Sequence, residues 1–227
     1  MALDLPFDYE ITRSRRKSVA IYVRDGRADV RAPLRAPKKW IEEFVHQKVD
    51  WIIKQIEEQR RKATESLELS DGAEILYLGQ PVRVCITTDN RRGVVLRKNN
   101  LYIPASDLFS RSEDYFYIWL EQQAREYMVP RAESLAEELG LGHRLQEIRL
   151  RKTKSQWGHC SSKGVVQYNW LIMLAPSECV DYLVAHEICH LKHMDHSKTY
   201  WALVESVCPH YRESRRWIKA NEHRLFI

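Results

Sequence analysis

Cysteine pairs and long apolar runs are what this chain has little of. Its five cysteines, at positions 85, 160, 179, 189 and 208, are an odd number and include no C-x-x-C pair. That pattern argues against a disulfide framework and against a structural zinc knuckle. No window approaches the ~18 continuous apolar residues of a membrane span. The first ten residues carry three acids instead of a basic and then apolar leader. We therefore expect a cytoplasmic protein without a membrane partner.

Length and composition indicate a chain that folds around an apolar core. The 227 residues are 44% hydrophobic and 30% charged. A chain of this length can bury a substantial core without disulfides. We expect one compact unit with two lobes.

Hydrophobic periodicity predicts the elements of the first lobe. Alternation from Ile11 to Ala32 indicates a β-hairpin. Helical spacing that begins at Pro37 predicts one helix, which ends at the basic run before Ala63. The polar stretch from Ala63 to Gly72 is the best candidate for a linker.

The rest of the chain alternates short strands with helices. Runs from Glu74 to Leu78, Val82 to Thr87 and Val94 to Ile103 predict a small antiparallel sheet. The remaining predictions are a long helix from about Ser112 to Leu139, strands Ile148 to Thr153 and Val165 to Ile172, and a helical tail broken at Pro209. Together they predict an α+β fold of small antiparallel sheets packed with helices.

The pentapeptide His186-Glu187-Ile188-Cys189-His190 carries two imidazoles and a carboxylate at a spacing typical of metal sites. On a helix the i and i+4 side chains lie on one face, so His186 and His190 can bind one ion while Glu187 projects beside it. Imidazole ligands suit Zn²⁺, and a catalytic zinc site has three protein ligands and one open position. The motif therefore predicts a hydrolase with Glu187 as the general base.

The surrounding sequence supports a helix and offers several third ligands. Pro176 suits the start of a helix, and acids in the first turn and an apolar stripe follow it. His196 lies five intervening residues beyond His190, the spacing that metzincins use for their third histidine. The competing candidates are His193, Asp195 and Glu205.

Several further motifs accompany the metal motif between Lys154 and Trp201. They are Trp157-Gly158, Cys160-Ser161-Ser162-Lys163-Gly164, Asn169-Trp170, Ala175-Pro176 and His196-Ser197. With these motifs the chain resembles the YgjP-like family of zinc metallohydrolases. The likeness extends to the basic N-terminal stretch and to Leu76-Tyr77-Leu78-Gly79. More distantly, the helix and its third histidine look like those of SprT-type metalloproteases in the minigluzincin group.

The resemblance implies a zincin-like core in which His186, His190 and His196 bind zinc and Glu187 is the base. The expected domains are a basic hairpin-plus-helix lobe, residues 1–66, and a zincin-like metallohydrolase domain, residues 67–227. Two positions depart from the family pattern, because Gln156 and His159 stand where the family usually has arginine and serine. The loop therefore lacks an arginine that could bind an anion.

Charge is concentrated near the N-terminus. Residues 11–40 contain ten Lys or Arg and two Asp, a net charge of +8, whereas the whole chain carries +5. Such a segment attracts anions, and arginine is well suited to phosphate oxygens. The candidate substrate-binding residues are Arg13, Arg15, Arg16, Lys17, Trp157 and Asn169.

Three functions are compatible with these patterns. In the first, a peptide lies along an edge strand such as Val165 to Ile172 and is hydrolysed at the zinc site. In the second, the same site hydrolyses a nucleoside triphosphate held by the basic cluster, since the YgjP-like resemblance also implies pyrophosphatases acting on UTP. In the third, the protein binds nucleic acid through its basic region and the metal is structural.

Overall fold

The computed structural model describes residues 5–24, 26–64, 69–88, 93–105 and 112–225. The chain divides into two compact units, Met1–Ser66 and Leu67–Ile227, and each has its own apolar core. The division falls within the predicted linker, of which residues 65–68 lie outside the described part. That the two units have separate functions stays a prediction.

The first unit contains a three-stranded sheet. Its strands are β1 (Tyr9–Ser14), β2 (Ala20–Arg24) and β3 (Arg27–Pro33), in the order β1-β3-β2. Strands β2 and β3 form the predicted antiparallel hairpin. Strand β1 pairs with β3 in parallel, so the sheet is mixed. Alternate residues of β3, Ala28, Val30 and Ala32, are buried in the core of this unit.

Two helices complete the first unit where the sequence predicted one. They are α1 (Lys38–His46) and α2 (Val49–Thr64). A single helix over this stretch would be about 40 Å long, whereas the longest strand of the sheet has seven residues and spans roughly 23 Å. The break at Gln47 and Lys48 allows both helices to bury apolar residues in the same core.

The second unit begins with a four-stranded sheet. Its strands are β4 (Glu74–Tyr77), β5 (Gln80–Thr87), β6 (Val95–Arg97) and β7 (Asn100–Pro104), in the order β4-β5-β7-β6. The predicted run from Val94 to Ile103 is a hairpin, because the chain reverses at Lys98, which has a φ of 52°. Strands β5 and β7 are parallel. Residues 89–92 of the predicted break lie outside the described part.

The predicted long helix is present as α3 (Ser112–Glu138). Every fourth residue is buried, and the series is Phe116, Leu120, Ala124, Met128, Ala132 and Ala136. Helix α3 packs against the metal-motif helix.

The remaining elements are the helix that carries the metal motif and the strands and helices that follow α3 in the chain. A third sheet has strands β8 (Glu147–Arg151), β9 (Gly158–Cys160) and β10 (Val165–Asn169), in the order β8-β10-β9. A 3-10 helix (Trp170–Leu174) follows. The C-terminal helices are α4 (Ser177–His190), α5 (Lys198–Val207) and α6 (Tyr211–Leu225).

The α+β fold class is confirmed, and two details of the prediction are wrong. Each sheet contains a parallel pair, so none is purely antiparallel. Strand β10 was expected to be an edge strand, yet it is central, and the chain after Asn169 is 3-10 helix. Neither feature can be read from alternation, which reports the burial of a strand's faces and not its neighbours. In the part of the chain that the structure describes, no helix combines the length and the hydrophobicity that a membrane span requires.

Candidate metal centre

Three histidines of the second unit converge on one point. His186 and His190 lie on α4, and His196 lies in the turn that leads to α5. One ring nitrogen of each lies within 4.8 Å of the other two, so among the described residues this group could hold a metal ion. The Nε2 atoms of His186 and His196 are 3.3 Å apart.

His186 is oriented by Tyr200. The Tyr200 hydroxyl donates to the carbonyl oxygen of His186 at 3.0 Å and lies 2.7 Å from its Nδ1. Because the hydroxyl has only one proton to give, Nδ1–H of His186 donates to it and Nε2 keeps its lone pair. Burial, followed by the neighbouring His190, lowers the pKa of His186 to about 3. The ring is therefore neutral at pH 7, as a metal ligand must be.

His190 is oriented by its own turn. Its Nδ1 lies 2.9 Å from the carbonyl oxygen of His193, and this contact requires Nδ1 to carry the proton. The ring stacks on Tyr200 with the centroids 4.5 Å apart. Burial is the main cause of the lowered pKa of His190. Its Nε2 is thus free to bind a metal ion.

His196 is fixed from the next helix. Its ring stacks on Trp201 at 5.5 Å, and Trp201 stacks on Tyr211 at 5.2 Å. Ser197 caps α5, because its hydroxyl accepts from the backbone N–H of Tyr200. The cap starts the helix directly after His196, so the first turn of α5 brings Tyr200 and Trp201 to the three imidazoles.

Glu187 lies buried beside the histidines, with 4% of its surface exposed. Burial raises the pKa of its carboxyl to about 8. A Cβ atom placed on Gly158 would lie 2.2 Å from Glu187 Oε1, so only glycine allows the carboxyl to approach the backbone of β9 this closely. Glycine at position 158 therefore makes room for the carboxyl.

Strand β9 presents a free edge near Glu187. The backbone N–H of Asn169 donates to the Trp157 carbonyl, and that of Ser161 donates to the Val165 carbonyl. Because hydrogen-bonded pairs alternate along antiparallel strands, the N–H and C=O groups of Gly158 and Cys160 point away from β10. In the described part of the chain no strand pairs with β9 on that side.

The two predicted substrate residues of this region differ in position. Trp157 lines a cavity next to Glu187. Asn169 is 1% exposed, and its side-chain amide donates to Thr153 and accepts from the N–H of Leu171. The geometry gives Asn169 the role of holding the loop before β9, and its contact with substrate stays a prediction.

The predicted basic cluster lies in the first unit. The guanidinium of Arg13 donates to three backbone carbonyls, those of Pro33, Leu34 and Ala36, at 3.3, 3.1 and 2.8 Å. Arg13 thus fixes the chain before α1. Arg15 and Lys17 are exposed and Arg16 is half-buried. Phosphate binding by this cluster stays a prediction.

The competing third ligands have other partners. Glu205 is paired with Arg212 at 2.6 Å. Asp195 accepts from the backbone N–H of Ser197. His193 contributes its carbonyl oxygen to His190. None of the three belongs to the metal-binding group formed by described residues.

Sequence reasoning missed the residues that orient the histidines. The signal available was an aromatic pair, Tyr200 and Trp201, one turn after the Ser197 cap. Gly158 was noted as part of a motif without a role. Arg215 and Lys219, which line the same cavity as Trp157, were not singled out.

Three histidines and a buried carboxyl, on and beside one helix of an α+β chain, form the arrangement of a metal-dependent hydrolase. The chain belongs to the YgjP-like family, whose model, described as "YgjP-like, metallopeptidase domain", matches residues 17–221. The family resemblance that the sequence motifs predicted is thereby confirmed.

One solved structure with similarity to this chain is the metallopeptidase zymogen abylysin of Pyrococcus abyssi. It is 26% identical, with a TM-score of 0.38, over 43% of this chain and 97% of abylysin. No curated protein sequence matches the chain.

Proposed function

We propose that this protein is a zinc-dependent peptidase in which His186, His190 and His196 bind the metal and Glu187 is the general base. The observation that carries the proposal is the convergence of three free imidazole nitrogens beside a buried carboxyl. The family description as a metallopeptidase domain supports the same reaction class.

The donor set fits zinc. All three ligands are imidazoles, and the Nδ1 atoms of His186 and His190 are already used by Tyr200 and by the His193 carbonyl. Metal-binding histidines normally direct their second nitrogen to such a partner. Three protein ligands leave one position for water or substrate, which is typical of catalytic zinc and not of structural zinc.

Glu187 has the environment of a general base. When bound, Zn²⁺ lowers the pKa of a water to about 7, and its charge favours the ionised form of a nearby carboxyl. Burial raises the pKa of Glu187 to about 8 in the absence of an ion. Once the charge of the metal has favoured its ionised form, this carboxylate can take a proton from water and later give it to the leaving amine.

Strand β9 supports a peptide substrate. The outward N–H and C=O groups of Gly158 and Cys160 can pair with an extended peptide, which would join the sheet as a further strand. Gly158 is also the residue in close approach to Glu187. A peptide bound in this way would pass close to the general base, and β9 replaces Val165–Ile172 as the proposed docking strand.

The test is to incubate zinc-loaded protein with casein and, separately, with the four ribonucleoside triphosphates. Glu187→Gln should keep stoichiometric zinc and lose activity by about 10²-fold or more. His186→Ala, His190→Ala and His196→Ala should lose zinc. His193→Ala is the matched control, since this residue contributes only its backbone carbonyl, and it should keep zinc and activity. Zinc retained by a His186→Ala, His190→Ala double variant would refute the assignment of the ligands.

The nucleotide and nucleic-acid functions stay alternatives with less support. The basic cluster that would bind phosphate belongs to the first unit, and Arg13 is engaged with backbone carbonyls. Hydrolysis of a triphosphate in the same assay, abolished by Glu187→Gln and weakened by replacing Arg15 and Arg16 with Gln, would favour the pyrophosphatase.

A further inference from the structure

A cavity of about 300 Å³ lies beside Glu187 and is formed by α4, α6 and the segment 156–158. Its apolar wall includes Trp157, Leu183 and Ile218. Glu187 and Gly158 line it on the side of the metal centre. A group that occupies the cavity is therefore adjacent to the proposed base and to the proposed peptide-binding strand.

The side of the cavity formed by α6 carries charge. Arg215, Lys219 and Glu222 follow the spacing i, i+4 and i+7, so they lie along one face of the helix. The guanidinium of Arg215 lies 5.0 Å from the ring centroid of Trp201, the residue that stacks on His196. Glu222 is two turns farther, about 10.5 Å along the helix axis. Of the two cations on this face, Arg215 is thus the one that contacts an aromatic residue packed on a metal-binding histidine.

Both cations have unused hydrogen-bond donors. In the described part of the chain no carboxylate lies within ion-pairing distance of Arg215 or Lys219. Their neighbour on the same helix, Arg212, is by contrast paired with Glu205 at 2.6 Å. The stack on Trp201 holds the Arg215 guanidinium in place while its N–H groups stay available, which is the arrangement used to bind carboxylates.

We propose that Arg215 and Lys219 bind a carboxylate of the residue next to the scissile bond, so that the preferred substrates are peptides with an acidic residue at that position. The proposal rests on the proposed peptidase function. The cavity is at the lower end of the size range of ligand pockets and has room for one side chain. Its apolar wall contacts the methylene groups, and the cations pair with the acid.

Glu222 limits the number of negative charges that the cavity accepts. One carboxylate can pair with Arg215 and Lys219, but a second anionic group farther along α6 would meet the Glu222 carboxylate. Like charges at short range disfavour binding. A single carboxylate is therefore favoured over a polyphosphate chain.

The test compares amidated peptides that differ only in Glu or Gln at one position. Zinc-loaded protein should cleave beside Glu with a kcat/KM about tenfold higher than beside Gln, as expected for loss of a charge-assisted hydrogen bond. In the Arg215→Gln, Lys219→Gln double variant this ratio should fall to about 1. Arg216→Gln is the matched control, because Arg216 lies on the same helix outside the cavity and donates to the Arg212 carbonyl. It should keep the native ratio.

A binding measurement separates this proposal from the peptidase proposal. Glu187→Gln protein should bind the Glu peptide about tenfold more tightly than the Gln peptide, and the two α6 substitutions should abolish the difference. If this preference is seen but no peptide is cleaved, the peptidase proposal fails and the carboxylate site stands. Equal cleavage beside Glu and Gln, or a preference that survives the double variant, would overturn the carboxylate site. The Gln peptide can also be made with a free C-terminal acid. If this peptide binds as tightly as the amidated Glu peptide, the site binds a terminal carboxylate and not an acidic side chain, and the proposal is wrong.

Discussion

Each imidazole of the metal centre is held by a second group. Tyr200 accepts from His186 and stacks on His190, Trp201 stacks on His196, and the His193 carbonyl accepts from His190. Such partners select the ring nitrogen that faces the metal and fix the plane of the ring. The contribution of the Tyr200 hydroxyl can be measured by removing a single atom.

We predict that Tyr200→Phe lowers zinc affinity about tenfold. The substitution keeps the ring that stacks on His190 and removes only the oxygen that accepts from His186 Nδ1. Competition with a chromophoric chelator measures the change. Tyr182→Phe is the control, since its hydroxyl lies farther from the same nitrogen, at 3.4 Å, and it should have a smaller effect. Equal affinities of Tyr200→Phe and the native protein would exclude an orienting role.

We also predict that Gly158→Ala keeps zinc and the fold but loses most activity. The new methyl group would overlap the Glu187 carboxyl, whose nearest oxygen lies 2.2 Å from the Cβ position, and the flexible side chain must move away. Zinc analysis measures the bound metal, and steady-state kinetics measure the activity. In a Glu187→Gln background the same substitution should cause no further loss of activity, because the effects of substitutions at residues in contact do not add. An additive loss would mean that Gly158 acts independently of Glu187.

At the scale of elements, the metal-motif helix is supported at its start by the turn between β4 and β5. Leu78 and Gly79 form this two-residue turn, and both have positive φ, 48° and 74°. A primed turn of this kind fits the twist of a hairpin. The backbone N–H of Leu78 donates to the Met173 carbonyl at 2.8 Å. A Cβ on Gly79 would lie 2.8 Å from Cα of Pro176, the residue that precedes α4.

Gly79→Ala should therefore lower the free energy of unfolding by about 2 kcal/mol or more, because it adds a backbone clash to the strain of positive φ. Gly140→Ala is the matched control. Gly140 has a similar φ of 68° with open space around it, so it should lose only about 1 kcal/mol. Urea unfolding of the two variants gives the comparison. Equal losses would show that contact with Pro176 contributes nothing.

At the scale of the whole molecule, every residue of the metal centre and of the cavity lies in Leu67–Ile227, while the segment of net charge +8 lies in Met1–Ser66.

We predict that residues 67–227 alone bind one zinc ion and retain peptidase activity, because that unit has its own apolar core. Elemental analysis and the casein assay test this, with His190→Ala in the same fragment as the control. A fragment that folds without binding zinc would show that the first unit is needed for the metal site.

Local sequence determined much of this protein. Helical spacing predicted α3 and α4, the i, i+4 histidines predicted a shared metal-binding face, and the motifs between Lys154 and Trp201 predicted the family. These features depend on residues close together in the chain, where helix geometry alone sets which side chains meet. Alternation likewise located the β2–β3 hairpin.

Only the tertiary structure decided which strand is an edge, because strand order depends on pairings between distant segments. It also decided that the chain breaks between α1 and α2, that Asn169 and Arg13 are engaged by backbone groups, and that α6 brings two cations to the cavity beside Glu187. The cavity joins the segment 156–158 to Arg215 and Lys219 on α6, which lie more than fifty positions away in the chain. No periodicity within a single segment encodes such contacts, since they arise from the packing of elements around a common core.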